Sequence, residues 1–122
     1  MNFGQSIRSG FKRYLDFSGR SSRSEYWWWA LLNVILSVFS SVLVVNAAAE
    51  YEDLAVTFYL IVNLVMFVPN LAMSVRRFHD LDRSGWWLFI GVIPLVGPII
   101  LIFWFCTKGT DGANRFGIDP LE

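Results

Sequence analysis

Residues 26–49 read YWWWALLNVILSVFSSVLVVNAAA, and these 24 residues contain no Asp, Glu, Lys or Arg. A helix needs about 20 predominantly apolar residues to cross the roughly 30 Å hydrocarbon core of a bilayer. Two further charge-free stretches, each of 22 residues, follow at residues 54–75 and 86–107. Each of the three is therefore long enough to be a membrane segment.

The composition of the chain argues against the alternative, three buried helices of a soluble bundle. Of its 122 residues 55% are hydrophobic and 16% are charged, whereas soluble domains carry about 25% charged residues. Helices without a polar face cannot coat a soluble surface. We therefore predict one all-α domain, residues 1–122, that is a multi-pass integral membrane protein in contact with the lipid bilayer.

Several other classes are disfavoured by simple features of the chain. The formal net charge of zero gives no global attraction to nucleic acid. Ala47–Ala49 resembles a signal-peptide cleavage site, but the apolar stretch before it is longer than such peptides require, so we expect no cleavage. The single cysteine, Cys106, excludes an internal disulfide and a cysteine-built metal site. We expect no cofactor.

The basic residues predict the orientation of the chain. Five Lys and Arg precede Tyr26, none lies in the loop Glu50–Asp53, three lie in Arg76–Gly85 and two in the tail, residues 108–122. Positively charged loops stay on the cytoplasmic side. The N-terminus and the loop Arg76–Gly85 are therefore predicted to be cytoplasmic, and Glu50–Asp53 to lie outside.

The third segment, residues 86–107, has two interpretations. Pro94 and Pro98 flank its centre, and proline kinks or breaks helices. We expect a proline-kinked span, which would place the tail outside. The alternative is a re-entrant hairpin, which would place all ten Lys and Arg on one side but needs protein to shield its backbone.

The residues before the first segment, 2–17, form an amphipathic pattern with a basic side. Asn2 and Gln5 can form a capping box at its start. We predict a helix that lies in the membrane interface, with packing beneath the helical bundle as the rival arrangement. Its apolar positions are Phe3, Ile7, Phe11, Tyr14 and Leu15.

Polar residues within the first two segments fall at matching depths. Asn33 lies level with Asn70, and Ser40 lies level with Asn63, so we predict hydrogen bonds within each pair. Pro69 interrupts the second segment and frees the carbonyl four residues earlier, which Asn70 or a water could satisfy. These residues are candidate structural contacts or, less favoured, a polar pathway.

The loop Arg76–Gly85 holds three cations, two carboxylates and the only histidine. If the second helix continues, Arg76 and Asp80 form an i,i+4 pair. His79 with two carboxylates beside three arginines makes a poor cation site and has no evident nucleophile partner, so we assign no metal and no catalytic residue. We favour an electrostatic latch in which Arg20, Arg23 and Glu25 meet Asp80, Asp82 and Arg83.

Four ordered motifs carry a resemblance to a known family: Gly19–Trp27, Arg76–Trp87, Ile93–Gly97 and Gly109–Pro120. Together they resemble the domain of unknown function 805 family, the YhaH-like bacterial inner membrane proteins, over nearly the whole chain. The resemblance implies a bacterial inner membrane location and carries over no reaction or ligand. The candidate site residues that match the motifs are Arg20, Arg23, Glu25, Arg76, Arg77, His79, Asp80, Arg83, Asn114 and Asp119.

The distinctive polar residues cluster at the predicted cytoplasmic boundary rather than in a pocket. The leading hypothesis is therefore a non-enzymatic module that binds a partner protein or anionic lipid there. One alternative is a homo-oligomeric transporter or channel, suggested by the polar residues Asn33, Asn63 and Asn70 and by the prolines. The other is a membrane enzyme that acts on a lipid headgroup through His79 and Asp80.

Overall fold

The computed structural model describes residues 1–121, and within them all regular structure is helical apart from one isolated bridge between Asn114 and Gly117. The predicted all-helical class is therefore confirmed. The α-helices are α1 (Phe3–Lys12), α2 (Arg23–Asn46), α3 (Glu52–Asp80) and α4 (Val96–Cys106), with 3-10 helices at Ala49–Tyr51 and Gly85–Val92.

Helices α2 and α3 form a long antiparallel pair. Their 24 and 29 residues correspond to lengths of roughly 36 and 43 Å. Both are long and apolar enough to cross a membrane, and only 11% of the most apolar window of each is buried. A core helix of a soluble protein would be mostly buried, so this pair is built to face an apolar solvent.

The third apolar segment is a hairpin and not a kinked helix. The 3-10 helix Gly85–Val92 leads into a turn, and α4 then runs back beside it. Near the open end the rings of Trp87 and Trp104 lie 5.6 Å apart. Near the turn, Gly97 packs so closely on the carbonyl of Ile90 that a Cβ would overlap it. The proline-kinked span expected for this segment is not confirmed, because the two ends of the segment lie side by side.

The reversal is made by a γ-turn between the two prolines. The Val96 N–H donates to the Pro94 carbonyl at 2.7 Å, and Leu95 between them has φ 65° and ψ −55°. A non-glycine residue in this conformation is strained by roughly 1–3 kcal/mol. Such strain persists only where the surrounding structure holds both ends, which the contacts of the open end do.

Helix α1 packs on the first half of α2. Asn2 and Gln5 form the predicted capping box, but the helix ends at Lys12, five residues before the predicted boundary. Gly10 allows the contact, since a Cβ there would overlap the ring of Trp29. The interfacial position of α1 remains a prediction, and Leu15, in the turn that follows the helix, is 73% exposed.

Between α2 and α3 the predicted asparagine bridge is present. The Asn70 side-chain N–H donates to Asn33 Oδ1 at 2.9 Å, and Trp29 Nε1 donates to Asn70 Oδ1 at 2.8 Å. Trp29 also packs with Met66 and Met73 in the core of the pair. Polar and apolar contacts therefore coincide at one level of the bundle.

The second predicted pair, Ser40 with Asn63, is not formed. The Ser40 hydroxyl donates to the carbonyl of Leu36, and the Asn63 side chain donates to the carbonyl of Tyr59. Both side chains bond back to their own helix, as Ser and Asn do when no partner is in reach. Asn63 is left on the exposed side of α3.

Pro69 leaves a helix carbonyl without its usual donor, and this carbonyl is satisfied by a residue that the sequence did not suggest. The freed Val65 carbonyl accepts a hydrogen bond of 2.5 Å from the Tyr14 hydroxyl. Neither Asn70 nor a water is needed for this role. The segment after α1 is thereby anchored to the middle of α3, 51 residues away.

Candidate functional site

The candidate residues converge at one end of the molecule, in what we name the polar cluster. It is formed by residues 19–25 before and at the start of α2, by the last turn of α3 (76–80), and by the tail (107–119). Helix α3 continues through Asp80, so its final charged turn extends beyond the predicted membrane segment. The two ends of the hairpin and the tail pack around this turn.

Asp80 is the centre of the cluster. Its Oδ1 accepts from Arg20 Nε at 3.0 Å, and its Oδ2 accepts from Arg77 Nη1 at 2.8 Å. The three side chains are between 0% and 5% exposed. Burial raises the pKa of Asp80, while Arg77 and Arg20 lower it. Removal of one partner from such a buried group would leave an uncompensated charge.

Arg20 also holds the tail against the cluster. Its Nη1 donates to the carbonyl of Gly112 and its Nη2 to the carbonyl of Thr110, each at 2.6 Å. Gly109 faces the Asp80 carboxylate where a Cβ would overlap it. The tail is therefore folded back over the last turn of α3.

The C-terminus of α4 is capped by side chains from α2 and α3. Arg77 donates to the carbonyls of Phe105 and Thr107. Arg23 donates to the carbonyl of Cys106 at 3.0 Å. The last carbonyls of a helix lack partners within the helix and carry partial negative charge. Two arginines at this end therefore fix the hairpin to the long helices.

Arg76 forms a second buried node on the α1 side. It donates to the hydroxyl of Ser21 at 3.0 Å and to the backbone carbonyls of Arg13 and Asp16 at 3.1 and 2.6 Å. Burial lowers the pKa of Arg76 to about 10; Arg13 acts in the same direction, and Glu25 and Asp16 oppose it. The guanidinium therefore remains charged at neutral pH.

Two predicted pairings are replaced by others. The i,i+4 pair of Arg76 with Asp80 is absent, because Arg76 is taken by backbone carbonyls and Arg77, at i−3, bonds to Asp80 instead. The proposed latch is formed only by Arg20 and Asp80. Asp82 pairs with Arg115 of the tail at 3.3 Å, on the exposed surface.

Glu25, at the start of α2, is buried and bonds to α1. Its Oε1 accepts from the Ser9 hydroxyl at 2.8 Å, and it lies 3.9 Å from Arg76 Nη2. Its backbone carbonyl accepts from the Ser6 hydroxyl at 2.5 Å. Ser22 caps α2 through the Glu25 N–H. The serines of α1 were not singled out from the sequence, since serine at a helix contact gives no periodic signal.

His79 is held by contacts within the chain. Its Nδ1 lies 2.9 Å from the Gly19 carbonyl and therefore carries the proton that it donates, and its ring stacks on Phe116 at 4.0 Å. Burial lowers the pKa of His79. The Asn114 side chain donates to the His79 carbonyl at 2.9 Å, and Asp119 accepts from the Gly112 N–H. In the part of the chain described, no three His, Cys, Asp or Glu are grouped as a metal site.

Arg83 stands apart from this network. Its guanidinium carbon lies 4.2 Å from the ring centre of Trp104 and 5.9 Å from that of Trp87. Beside it is a cavity of about 230 Å³ that Lys108 and Thr110 also line. Trp104 and Lys108 were missed from the sequence, because only the reversal of the hairpin brings them to Arg83.

The two ends of the α2–α3 pair carry opposite charge. All ten Lys and Arg lie at the end of the polar cluster, together with six acidic residues of the described chain, which is an excess of four positive charges. The other end carries the acids of Glu50–Asp53 and no base. Six of the ten cations pair with carboxylates, namely Arg13, Arg20, Arg76, Arg77, Lys108 and Arg115.

Comparison with known proteins gives relatives along nearly the whole chain. Residues 14–118 match a family described as a protein of unknown function (DUF805). The inner membrane protein YhaI of Escherichia coli is 40% identical over 112 residues, which cover 92% of each chain. The inner membrane protein YhaH is 39% identical, covering 89% of this chain and 90% of its own. The uncharacterized protein YiiR of Escherichia coli is 30% identical, covering 88% of this chain and 87% of its own. No solved structure matches.

Proposed function

The chain belongs to the family of proteins of unknown function DUF805, and from this premise we propose that it is a non-enzymatic module of the bacterial inner membrane that binds anionic lipid at its cytoplasmic face. The location is supported by its similarity to the inner membrane proteins YhaI and YhaH. The observation that carries the binding proposal is the separation of charge along the molecule.

The excess of cations at one end has a direct electrostatic consequence. Anionic lipids attract each Lys or Arg near the membrane surface by about 1 kcal/mol. Most arginines of the polar cluster are already bonded within the chain, so they stabilise the structure of this face rather than contact lipid. The residues left to attract lipid are Arg8, Lys12, Arg23 and Arg83, none of which pairs with a carboxylate within residues 1–121.

The proposal includes a topology of two spans and one re-entrant hairpin. Helices α2 and α3 cross the bilayer, and the hairpin enters from the cytoplasmic side and returns to it, so that the N-terminus and the tail are both cytoplasmic. The distribution of basic residues supports this arrangement. Helix α3 also packs against the 3-10 arm of the hairpin, Gly85–Val92, and so covers one side of that arm.

Cysteine labelling tests the topology. Two single-cysteine variants are made in a Cys106→Ala background. Ala113→Cys places the thiol in the tail, and Ala48→Cys places it in the short loop. A membrane-impermeant maleimide applied to intact spheroplasts should label position 48 and not 113, and inverted vesicles should give the reverse. If both positions are labelled from the same side, the topology is wrong.

Native mass spectrometry of the protein released from nanodiscs tests the lipid preference. The discs contain equal parts of phosphatidylglycerol and phosphatidylcholine with identical acyl chains. We expect the bound lipid to be enriched in phosphatidylglycerol at least about tenfold, with the enrichment falling as salt screens the charges. Equal retention of the two lipids would reject the proposal.

A second candidate, a homo-oligomeric transporter or channel, is favoured by Asn63. Its amide lies on the exposed side of a membrane helix, where an amide gains from a hydrogen bond across helices. Two copies related by a two-fold axis could pair these amides. Single-molecule photobleaching in liposomes should then show dimers or larger assemblies that Asn63→Leu reduces, whereas single-step bleaching throughout would exclude this candidate.

A further inference from the structure

Within residues 1–121, Arg83 is the one cation of the polar end that is held in place by aromatic rings and has no anionic partner. Its guanidinium is stacked on Trp104 and borders Trp87. Within residues 1–121 no carboxylate lies within ion-pair distance and no acceptor is hydrogen-bonded to its guanidinium nitrogens. Stacking restrains the plane of the guanidinium but leaves its edge of N–H donors unused.

Stacking decides which part of the Arg83 guanidinium can bind a ligand. It removes water from one face of the guanidinium and leaves the N–H edge accessible, because no buried side-chain nitrogen of the described chain lacks a partner. The planar fork of N–H groups matches the oxygens of a phosphate, and an arginine already fixed in orientation loses less freedom on binding it. The local chemistry therefore calls for an anion with several oxygens.

The cavity beside Arg83 supplies the other groups that such an anion needs. Lys108 lines it, and the present partner of Lys108 is Asp111, in a pair whose side chains are 60% and 82% exposed. Exposed pairs contribute little, so Lys108 can turn toward a stronger anion at small cost. Thr110 also lines the cavity, and its hydroxyl makes no hydrogen bond within the described chain.

We propose that the cavity formed by Arg83, Lys108 and Thr110 binds a phosphate group, carried by an anionic lipid. This inference rests on the proposed function and gives its lipid a defined site. Arg83 and Trp104 lie where the hairpin leaves its apolar run, and Phe103 beside Trp104 is 70% exposed. An acyl chain can therefore lie along the hairpin while its headgroup phosphate meets the two cations.

The test compares two variants that remove the same charge. Arg83→Gln removes the stacked guanidinium, and Arg8→Gln removes an exposed cation of α1 that is not stacked on an aromatic ring within the described chain. In the mixed nanodiscs we expect Arg83→Gln to lower the retained phosphatidylglycerol about tenfold and Arg8→Gln by no more than about threefold. Arg83→Lys, which keeps the charge without the planar fork, should fall between the wild type and Arg83→Gln.

A second arm separates lipid-borne phosphate from free phosphate. The protein in discs of phosphatidylcholine alone is titrated with inorganic phosphate, and Trp fluorescence is followed, since Trp87 and Trp104 flank the site. We expect no saturable change below millimolar phosphate. A saturable change that Arg83→Gln abolishes would overturn the lipid source and identify a soluble phosphate ligand.

The outcomes also distinguish this inference from the function on which it rests. If the wild type prefers phosphatidylglycerol and Arg83→Gln loses no more of it than Arg8→Gln, the site is wrong and the diffuse attraction stands. If the wild type shows no preference, both fail. Size-exclusion profiles in detergent check folding, and if Arg83→Gln is aggregated the comparison is made with Arg83→Lys.

Discussion

The two ends of the α2–α3 pair are held together in different ways. At the charged end, arginines, an aspartate and backbone carbonyls from four separate parts of the chain form a buried network with no unsatisfied side-chain nitrogen or oxygen in the described chain. At the other end the helices touch through apolar side chains such as Phe39 and Phe58. A cavity of about 600 Å³ opens between them beside Leu43 and Leu54.

This difference has a physical cause in the solvent of each end. Lipid chains are as apolar as leucine, so the apolar end gains little by closing its cavity, and acyl chains can fill it. At the membrane boundary, by contrast, a buried charge without a partner loses its solvation free energy and gains nothing in return. The polar end is therefore expected to determine which arrangement of the helices is formed, and the apolar end to tolerate change.

The largest effect is expected from breaking the centre of the polar end. Asp80→Asn leaves the guanidinium groups of Arg20 and Arg77 buried without a counter-charge, so we expect a loss of about 3–5 kcal/mol in the free energy of unfolding. Denaturation in mixed detergent micelles, followed by circular dichroism, measures it.

The matched control is the neighbouring aspartate. Asp82 pairs with Arg115 on the surface, and its positive φ of 58° is also accessible to asparagine. Asp82→Asn should cost no more than about 1 kcal/mol. Equal losses for the two variants would mean that the buried network does not stabilise the fold as described.

A smaller effect is expected at the hydrogen bond that joins the segment after α1 to the middle of α3. Tyr14→Phe removes the hydrogen bond to the Val65 carbonyl, and we expect a loss of about 1 kcal/mol. In a Pro69→Ala background, residue 69 regains an N–H that can satisfy the same carbonyl. Tyr14→Phe should then cost clearly less, and an unchanged cost in a double-mutant cycle would show that the proline break is not what Tyr14 stabilises.

The smallest effect concerns pH and the contact of His79 with the tail. Burial lowers the pKa of His79 below its ordinary 6.5. Its contribution to stability is therefore fully present above pH 6.5 and is lost as the pH falls through the folded-state pKa, because the unfolded chain binds the proton first. Limited proteolysis of the tail should accelerate as the pH falls from 7.5 toward 5.

The control for this prediction is His79→Asn. An asparagine amide can still donate to the Gly19 carbonyl but does not titrate. The variant should lose the pH dependence of tail cleavage in this window while its cleavage at pH 7.5 changes less. If wild type and variant respond to pH alike, another group is responsible.

Some of the structure could be predicted because it depends on local pattern. The charge-free runs gave two membrane-length helices, Asn2 and Gln5 gave the first cap, and equal depth along antiparallel helices gave the bond between Asn33 and Asn70. The same depth argument failed for Asn63, because depth says nothing about which face of a helix meets its neighbour.

The partners of the charged side chains could not be predicted in the same way. Arg76 and Arg77 are adjacent and chemically identical, yet one bonds to the residues after α1 and the other to Asp80 and the end of α4. A rotation of one position about the helix axis decides which of them faces which element. Short-range rules such as i,i+4 pairing cannot supply that choice, since both partners come from distant parts of the chain.

The amino-acid sequence by itself determined that the chain is helical, that two helices suit a lipid solvent, and that basic residues gather at one end, because these properties follow from counting residues along the chain. Only the tertiary structure decided that residues 86–107 turn back and that the tail folds over the last turn of α3. The reason is that the arginines at the polar end donate to the free carbonyls at the C-terminus of α4. They can do so only when the hairpin brings that end of α4 back to the polar end.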